Sequence, residues 1–207
     1  MPDARNVPVI LIHGLGRGTG SMLPLDWRLR RRGWRTTRIG YASTRMGLAQ
    51  SIEAVRAEIP ATPCHLIGHS LGGLITAALI RDRQDLQIVR AVQLGSPNLG
   101  SALAVRAHGL APVRWACGPA IQDIQALTDA PEVHHDIGAI AGTGGWALPG
   151  TGLERPHDGA VSVRSASAGA NHCALVPVLH TLLPASAAVA RLADSFLAEG
   201  AFPKEGA

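Results

Sequence analysis

Short apolar runs alternate along the chain with segments in which apolar residues recur at helical spacing. The first run, Val9–Ile12, contains only Val, Ile and Leu and ends at His13 and Gly14. An uninterrupted run of this kind is typical of a strand buried on both faces of a parallel sheet. Further strands are predicted at residues 34–39, 65–67, 88–94, 137–140 and 173–176.

Predicted helices lie between these strands. Residues 23–32 place leucines and arginines at helical spacing, and Gly33 ends the segment. A second apolar stripe runs over residues 52–59 and stops at Pro60. The remaining predicted helices are 71–80, a short one at 121–127, and 187–197. Alternation of strands and helices predicts a compact α/β fold with a mostly parallel central sheet, helices on both faces and no large cap domain.

Length and composition are those of one globular domain. The chain has 207 residues, of which 46% are hydrophobic and 16% charged. Since one domain takes roughly 150 residues, we expect residues 1–207 to form a single domain. Within it, residues 96–134 have the weakest periodicity and are a candidate lid or pocket-lining insertion.

Charge and aromatic content restrict the classes of partner. Two Phe, one Tyr and four Trp provide few stacking surfaces, which argues against a nucleic-acid partner. The net charge is +4, and all but one of the 19 cationic residues are arginine. The run between Arg28 and Arg38 is expected to be a solvated helix face, with a peripheral lipid-surface contact as the alternative.

Cysteines and hydropathy bear on the compartment. Cys64, Cys117 and Cys173 are widely spaced, which favours neither a disulfide framework nor a zinc site. The sequence has neither the apolar core of a signal peptide nor the roughly 18 apolar residues of a membrane span. We therefore expect a cytoplasmic location.

The most informative motif lies between a predicted strand and a predicted helix, and has the pattern G-x-S-x-G: Gly68-His69-Ser70-Leu71-Gly72. A strand that turns abruptly into a helix strains the serine, and the small residues around it leave room for the turn. The helix N-terminus offers N–H groups to a developing oxyanion. We expect Ser70 to be a nucleophile and the Leu71 N–H to be an oxyanion donor.

A glycine-rich loop, His13-Gly14-Leu15-Gly16, follows the first predicted strand. An N–H from the loop after a neighbouring strand is the usual second oxyanion donor, and Leu15 is predicted to provide it. His13 is expected to hold the loop, and His13, Gly14 and His69 are also candidates for lining a substrate pocket. The loop lacks the G-x-G-x-x-G spacing and the lysine of phosphate-binding turns.

These motifs resemble those of the α/β-hydrolases of the bacterial lipase and esterase type. Four segments match in the family's order: residues 10–16, 68–73, 95–101 and 158–163. The third is similar to the family's T-P-H-x-G-S stretch, although Ser96 and Asn98 stand where the family has Thr and His. That departure leaves the packing of this loop open.

The resemblance implies a catalytic triad in the order serine, acid, histidine. Asp158 begins a segment similar to the family's D-G-x-V-x-x-x-S, which continues to Ser165. It is favoured as the acid over Asp129, Asp136 and Glu154, which lack this pattern or lie at the wrong end of a strand.

Two histidines compete for the role of base. In related hydrolases the catalytic histidine follows the last strand, in the loop before the final helix. His180 follows the predicted strand 173–176, whereas His172 precedes it. We therefore expect His180 to be the base and His172 to lie away from Ser70.

The resemblance thus implies a serine hydrolase of carboxylic acyl esters, an esterase or lipase working through an acyl-enzyme. The expected partner is a small-molecule or lipid acyl ester, and the mechanism requires no cofactor and no metal. Thioester hydrolysis or acyl transfer to an alcohol would use the same residues. A catalytically silent binding protein with this fold is the alternative from another class.

Overall fold

The computed structural model describes residues 4–82, 86–102, 118–127, 129, 131–146 and 152–203. Six strands form its sheet: β1 Val9–Ile12, β2 Thr36–Ile39, β3 Cys64–His69, β4 Ile88–Leu94, β5 His134–Gly142 and β6 Ala170–Val176. They lie in the order β2-β1-β3-β4-β5-β6, and every neighbouring pair is parallel. The predicted parallel α/β architecture is confirmed.

Helices connect and cover these strands. The α-helices of the described residues are α1 Leu23–Arg30, α2 Leu48–Arg56, α3 Leu71–Arg81, α4 Ala120–Ala126, α5 Val163–Ser167 and α6 Ala187–Glu199. Shorter 3-10 helices lie at Ala4–Asn6, Thr19–Met22 and His180–Ala185. Gly33 follows α1 with a φ of 91°, a left-handed conformation that stops the helix.

Two apolar clusters cover the two faces of the sheet. Ile10 and Ile12 of β1 face a cluster built with α2, α3 and α4. Val9 and Leu11 face the opposite cluster, which α1 and α6 complete and in which Phe196 is fully buried. Because alternate residues of a strand point to opposite faces, a strand covered on both sides must be apolar throughout, as β1 is.

The last two strands are longer than predicted. β6 is an edge strand whose residues alternate between lower and higher exposure, so its first half carries polar side chains. β5 likewise begins with partly exposed polar residues. His172 consequently lies inside β6, whereas the sequence placed it before the strand; a search for apolar runs misses the polar end of a strand.

The order of the strands reverses at β1. The chain moves from β1 outward to β2 and then returns to form β3 on the other side of β1. In open α/β sheets, ligands bind at such a reversal, beyond the carboxyl ends of the strands. The predicted nucleophile follows β3 and the predicted oxyanion loop follows β1, so both lie at this reversal.

Parts of the candidate lid and of the cysteine prediction lie outside the described residues. Of residues 96–134, the structure describes 96–102, α4 and the start of β5, while 103–117 fall outside it. Cys64 is buried and unpaired and Cys173 is exposed and unpaired; Cys117 is not described. No helix in the described ranges is long and apolar enough to cross a membrane.

The arginine-rich segment lies on α1 and the turn after it. Arg30 and Arg38 form ion pairs with Asp26, at 2.6 and 3.0 Å. Arg30 and Arg35 are exposed, as expected of a solvated face, while Arg38 is half-buried. Asp26 therefore neutralises one side of this segment only.

Candidate active site

Ser70 occupies a strained turn between β3 and α3. Its φ is 55° and its ψ is −118°, and within the described part of the chain it is the one residue other than glycine with a positive φ. Such a conformation costs about 1–3 kcal/mol and persists only where the surrounding structure enforces it. Ser70 directly follows β3, which places it at the carboxyl end of the sheet, and it is partly exposed.

The turn is possible because glycines stand two residues before and two residues after Ser70. A β-carbon on Gly68 would overlap the Gly72 carbonyl oxygen and the Thr76 hydroxyl, and one on Gly72 would overlap the Ile12 carbonyl oxygen. Close packing of strand, helix and the neighbouring strand β1 therefore requires glycine at both positions. This is the physical reason for the G-x-S-x-G pattern here.

The two predicted oxyanion donors are the backbone N–H groups of Leu15 and Leu71. Leu71 is the first residue of α3, and Leu15 lies in the loop after β1. Neither N–H donates to another described residue. A β-carbon on Gly14 would lie 3.1 Å from Ser70 Cβ, so the loop passes directly beside the serine. The two predicted oxyanion donors thus belong to segments that meet at Ser70.

His180 and Asp158 form a hydrogen-bonded pair. His180 Nδ1 lies 2.7 Å from Asp158 Oδ2, and the His180 N–H donates to the Asp158 carbonyl oxygen at 2.9 Å. The other carboxylate oxygen, Oδ1, accepts the N–H groups of Ala160 and Val161 at 2.9 and 2.7 Å. The Asp158 side chain is 1% exposed and that of His180 13%. These bonds fix the carboxylate, and His180 Nε2 has no hydrogen-bond partner among the described residues.

Gly95 brings this pair next to the serine. The Ser70 N–H donates to the Leu94 carbonyl oxygen at 2.9 Å. Gly95 follows with a φ of 56°, and a β-carbon there would lie 2.8 Å from Asp158 Oδ2 and 3.1 Å from His180 Nδ1. The end of β4 therefore contacts Ser70 on one side and the histidine–aspartate pair on the other. Sequence reasoning missed this role of Gly95, although its position after β4 in a matching motif was a usable signal.

His69 forms a hydrogen bond with the backbone of His180. Its Nε2 lies 3.0 Å from the His180 carbonyl oxygen, and since a carbonyl accepts, Nε2 carries the hydrogen. Burial, then the neighbouring His180, lowers the pKa of His69 to about 3, so the ring is neutral. At 1% exposure His69 lies behind the site and does not line it, contrary to the expected pocket role.

His13 holds the loop after β1, as the sequence predicts. Its Nε2 accepts a hydrogen bond from the Tyr41 backbone N–H, with an N···N distance of 3.4 Å. Its Nδ1 donates to the Gly14 carbonyl oxygen at 2.9 Å. The rings of His13 and Tyr41 stack with their centres 4.5 Å apart. His13 is buried, which lowers its pKa and places it behind the loop instead of in a pocket lining. Tyr41 was missed, although it lies just beyond the end of β2.

The loop after β4 packs on the segment that carries Asp158. Asn98 and Gln93 exchange two side-chain hydrogen bonds of 2.9 and 3.1 Å, and Asn98 also donates to the Ala168 carbonyl oxygen at 2.9 Å. Ser165 donates to the Gly100 carbonyl oxygen at 2.8 Å. Asn98, which replaces the family's histidine, therefore ties the loop into the fold. The Ser96 hydroxyl is buried without a partner among the described residues.

Among the residues that the structure describes, the others considered as acid or base do not contact Asp158 or His180. His172 packs against Phe196, with ring centres 5.8 Å apart, on the face of the sheet that α6 covers. Glu154 is exposed and pairs with Arg164 at 3.6 Å, and Asp136 lies in the first half of β5. Asp129 is exposed. Of the weighed acids and bases, Asp158 and His180 are the two that the structure brings together.

A cavity of about 420 Å³ lies beside the Asp158 segment. Its lining is partly apolar, from Leu99, Leu127 and Leu153. It also includes the charged side chains of Glu154 and Arg164. Leu99 and Leu127 belong to the segment 96–134, whose predicted role as a lid or pocket lining for the substrate stays a prediction. Neither Ser70 nor His180 is among its lining residues.

Comparison with known proteins identifies the fold. Neither a protein-family model nor a curated protein sequence matches the chain. Similar solved structures include the lipase BlEst2 of Bacillus licheniformis in its propeptide form, with a TM-score of 0.75 and 18% identity; the match covers 100% of this chain and 53% of that one. The present chain thus spans about half of that protein.

Two further structures match over most of both chains. A hydrolase from Pseudomonas aeruginosa has a TM-score of 0.60 and 15% identity, over 86% of this chain and 84% of that one. A lipase-esterase related protein from Clostridium acetobutylicum has a TM-score of 0.60 and 14% identity, over 93% and 96%. The chain has the α/β-hydrolase fold seen in lipases and esterases.

Proposed function

We propose that the chain is a serine hydrolase that cleaves carboxylic acyl esters, with Ser70 as nucleophile, His180 as base and Asp158 as the acid that orients it. The observation that supports this most is the 2.7 Å hydrogen bond between His180 Nδ1 and Asp158 Oδ2, at the carboxyl end of the sheet, where Ser70 has a strained backbone. The lipases and esterases among the similar structures agree with this class of reaction.

The geometry supports a two-stage reaction. His180 Nε2 takes the proton of Ser70 as Oγ bonds to the ester carbonyl carbon, and the N–H groups of Leu15 and Leu71 bind the oxyanion. The tetrahedral intermediate expels the alcohol, which takes the proton from His180. Water then attacks the acyl-enzyme while His180 accepts its proton. His180 returns that proton to Ser70 Oγ as the second tetrahedral intermediate collapses and the carboxylic acid leaves.

The remaining residues position these groups. Asp158 accepts the Nδ1–H of His180 and stabilises the imidazolium that forms during each stage. His69 fixes the backbone of His180 through its carbonyl oxygen. Asp158 and His69 thus hold the base at its ring and at its backbone, as the proposed proton transfer from Ser70 requires.

Labelling with an alkyl fluorophosphonate tests the nucleophile. The reagent phosphorylates activated serines whatever their natural substrate, so one adduct per chain, mapped to the peptide of Ser70, is expected by intact mass and peptide mapping. Ser70→Ala should abolish the adduct, and Ser167→Ala, at a partly exposed serine of α5, should not. A folded chain that is not labelled would contradict the proposal and favour a silent binding protein.

Ester hydrolysis by histidine variants tests the base. With a series of p-nitrophenyl esters, His180→Ala should lower kcat/KM by roughly ten-thousand-fold or more. His172→Ala, which removes the competing histidine, should leave it within about tenfold of the native value. An inactive His172→Ala together with an active His180→Ala would show that the assignment is wrong.

A further inference from the structure

A second cavity lies between α6 and the end of α1 with the turn after it. Its volume is about 220 Å³, and its lining residues are Trp27, Arg28, Arg31, Arg32, Ala187 and Ala190. None of these belongs to the proposed triad. Three of the six are cations, so the cavity has a strongly positive lining.

The Trp27 ring forms cation–π contacts with two of these arginines. Its side chain is 54% exposed, and the guanidinium carbons of Arg31 and Arg28 lie 4.9 and 5.7 Å from its ring centre. The negative face of an indole attracts guanidinium groups at such distances. The ring therefore holds Arg28 and Arg31 at the cavity, although the like charges of residues three apart on one helical turn repel each other.

The protein itself leaves this charge largely uncompensated. No carboxylate of the described residues pairs with Arg28 or Arg31. Arg32 Nε lies 3.8 Å from Asp194, too far for a hydrogen bond, and Asp194 also pairs with Arg5 at 3.3 Å. The Nε atoms of Arg28 and Arg32 are buried and have no hydrogen-bond partner within the described ranges.

The neighbouring arginines differ in this respect. Arg30 and Arg38 share the buried carboxylate of Asp26, on the opposite side of α1. On the cavity side, Arg28 and Arg31 have no carboxylate partner among the described residues. Ala187, the first residue of α6, adds the positive end of a helix to the potential that the arginines create.

We propose that this cavity is a binding site for a phosphate group, carried either by a free phosphate or by a lipid headgroup. Guanidinium groups bind phosphate through paired hydrogen bonds, and phosphate carries up to two negative charges near neutral pH. Leu23, four residues before Trp27 on α1, is also exposed, so a headgroup held here would lie beside apolar side chains. This site does not depend on the proposed hydrolase activity.

Calorimetric titration with inorganic phosphate at constant ionic strength tests the site. Saturable binding of one phosphate per chain is expected, weakened roughly tenfold or more in the double variant Arg28→Gln, Arg31→Gln. Arg164→Gln, which removes one exposed charge on α5 from a residue that does not line this cavity, is the control and should bind as the native chain does. Far-UV circular dichroism checks that each variant is folded.

Vesicle sedimentation distinguishes the two sources of phosphate. The Ser70→Ala chain is used so that no lipid is hydrolysed, with vesicles of phosphatidylcholine alone or mixed with phosphatidic acid. Binding to the mixed vesicles that the double variant loses identifies a lipid headgroup, and binding of inorganic phosphate alone identifies a soluble phosphate. Binding in neither assay, or an equal loss in Arg164→Gln and the double variant, would overturn the proposal.

Discussion

His65 makes the stability of this protein depend on pH in a way that can be measured without any substrate. It lies in β3, fully buried, with its ring edge-on to Trp34 and the ring centres 5.5 Å apart. Burial, then the charge of Arg90, lowers its pKa from 6.5 to about 4. The folded state therefore holds His65 neutral at pH values where the unfolded chain binds a proton.

The sign and size of the effect follow from this difference. Between the folded pKa of about 4 and the unfolded value of 6.5, the unfolded state binds more protons, so stability falls as the pH falls. At 1.36 kcal/mol per pH unit, lowering the pH from above 7 to about 5 costs about 2 kcal/mol through His65 alone. His69, whose pKa is also lowered, adds to the loss with the same sign.

Urea unfolding at several pH values, followed by tryptophan fluorescence, measures the effect. Because His65 faces an apolar cluster, His65→Leu should fold, and its free energy of unfolding should lose about 2 kcal/mol less than the native chain between neutral pH and about pH 5. His135→Leu, at an exposed histidine of β5, is the matched control and should keep the native pH dependence. A His65→Leu chain with the full native dependence would refute the reasoning.

Two further predictions concern the turn at Ser70. Because glycine adopts a positive φ without strain, the free energy of unfolding of Ser70→Gly should exceed that of Ser70→Ala by about 1 kcal/mol, after the cost of glycine's extra freedom in the unfolded chain. A glycine variant less stable than Ser70→Ala would contradict the strain argument. Gly68→Ala should prevent folding or cost several kcal/mol, because its β-carbon would overlap backbone. Gly18→Ala, whose β-carbon would meet nothing within 4 Å, should unfold as the native chain does in the same denaturation assay. Equal effects at both glycines would refute the packing argument.

The strands and helices of this protein follow closely from its sequence pattern. β4 has the predicted bounds, and α6 extends the predicted helix by two residues, to Glu199. Buried strands and amphipathic helices are set by periodicity among near neighbours, which one sequence displays. β5 and β6 were predicted too short, because their polar ends lie where the sheet is only partly covered.

The turn that carries Ser70 was also predictable, since strand, serine, glycines and helix are contiguous. The choice of acid and base was not readable from local pattern alone and relied on the resemblance to a family. Asp158 and His180 are 22 residues apart, and His172 is nearer to Asp158 in sequence. What separates the two histidines is that β6 carries His172 toward Phe196 and ends before His180.

By itself, the sequence determined the parallel α/β fold, the strained serine and the segments that meet around it. Only the tertiary structure decided which side chains meet across long separations. His69 supports His180 across 111 residues, Tyr41 holds the loop of His13, and Asp26 neutralises one side of the arginine run while the other side faces a cavity. Local periodicity specifies elements, whereas these contacts depend on how the elements pack, so no short stretch of sequence encodes them.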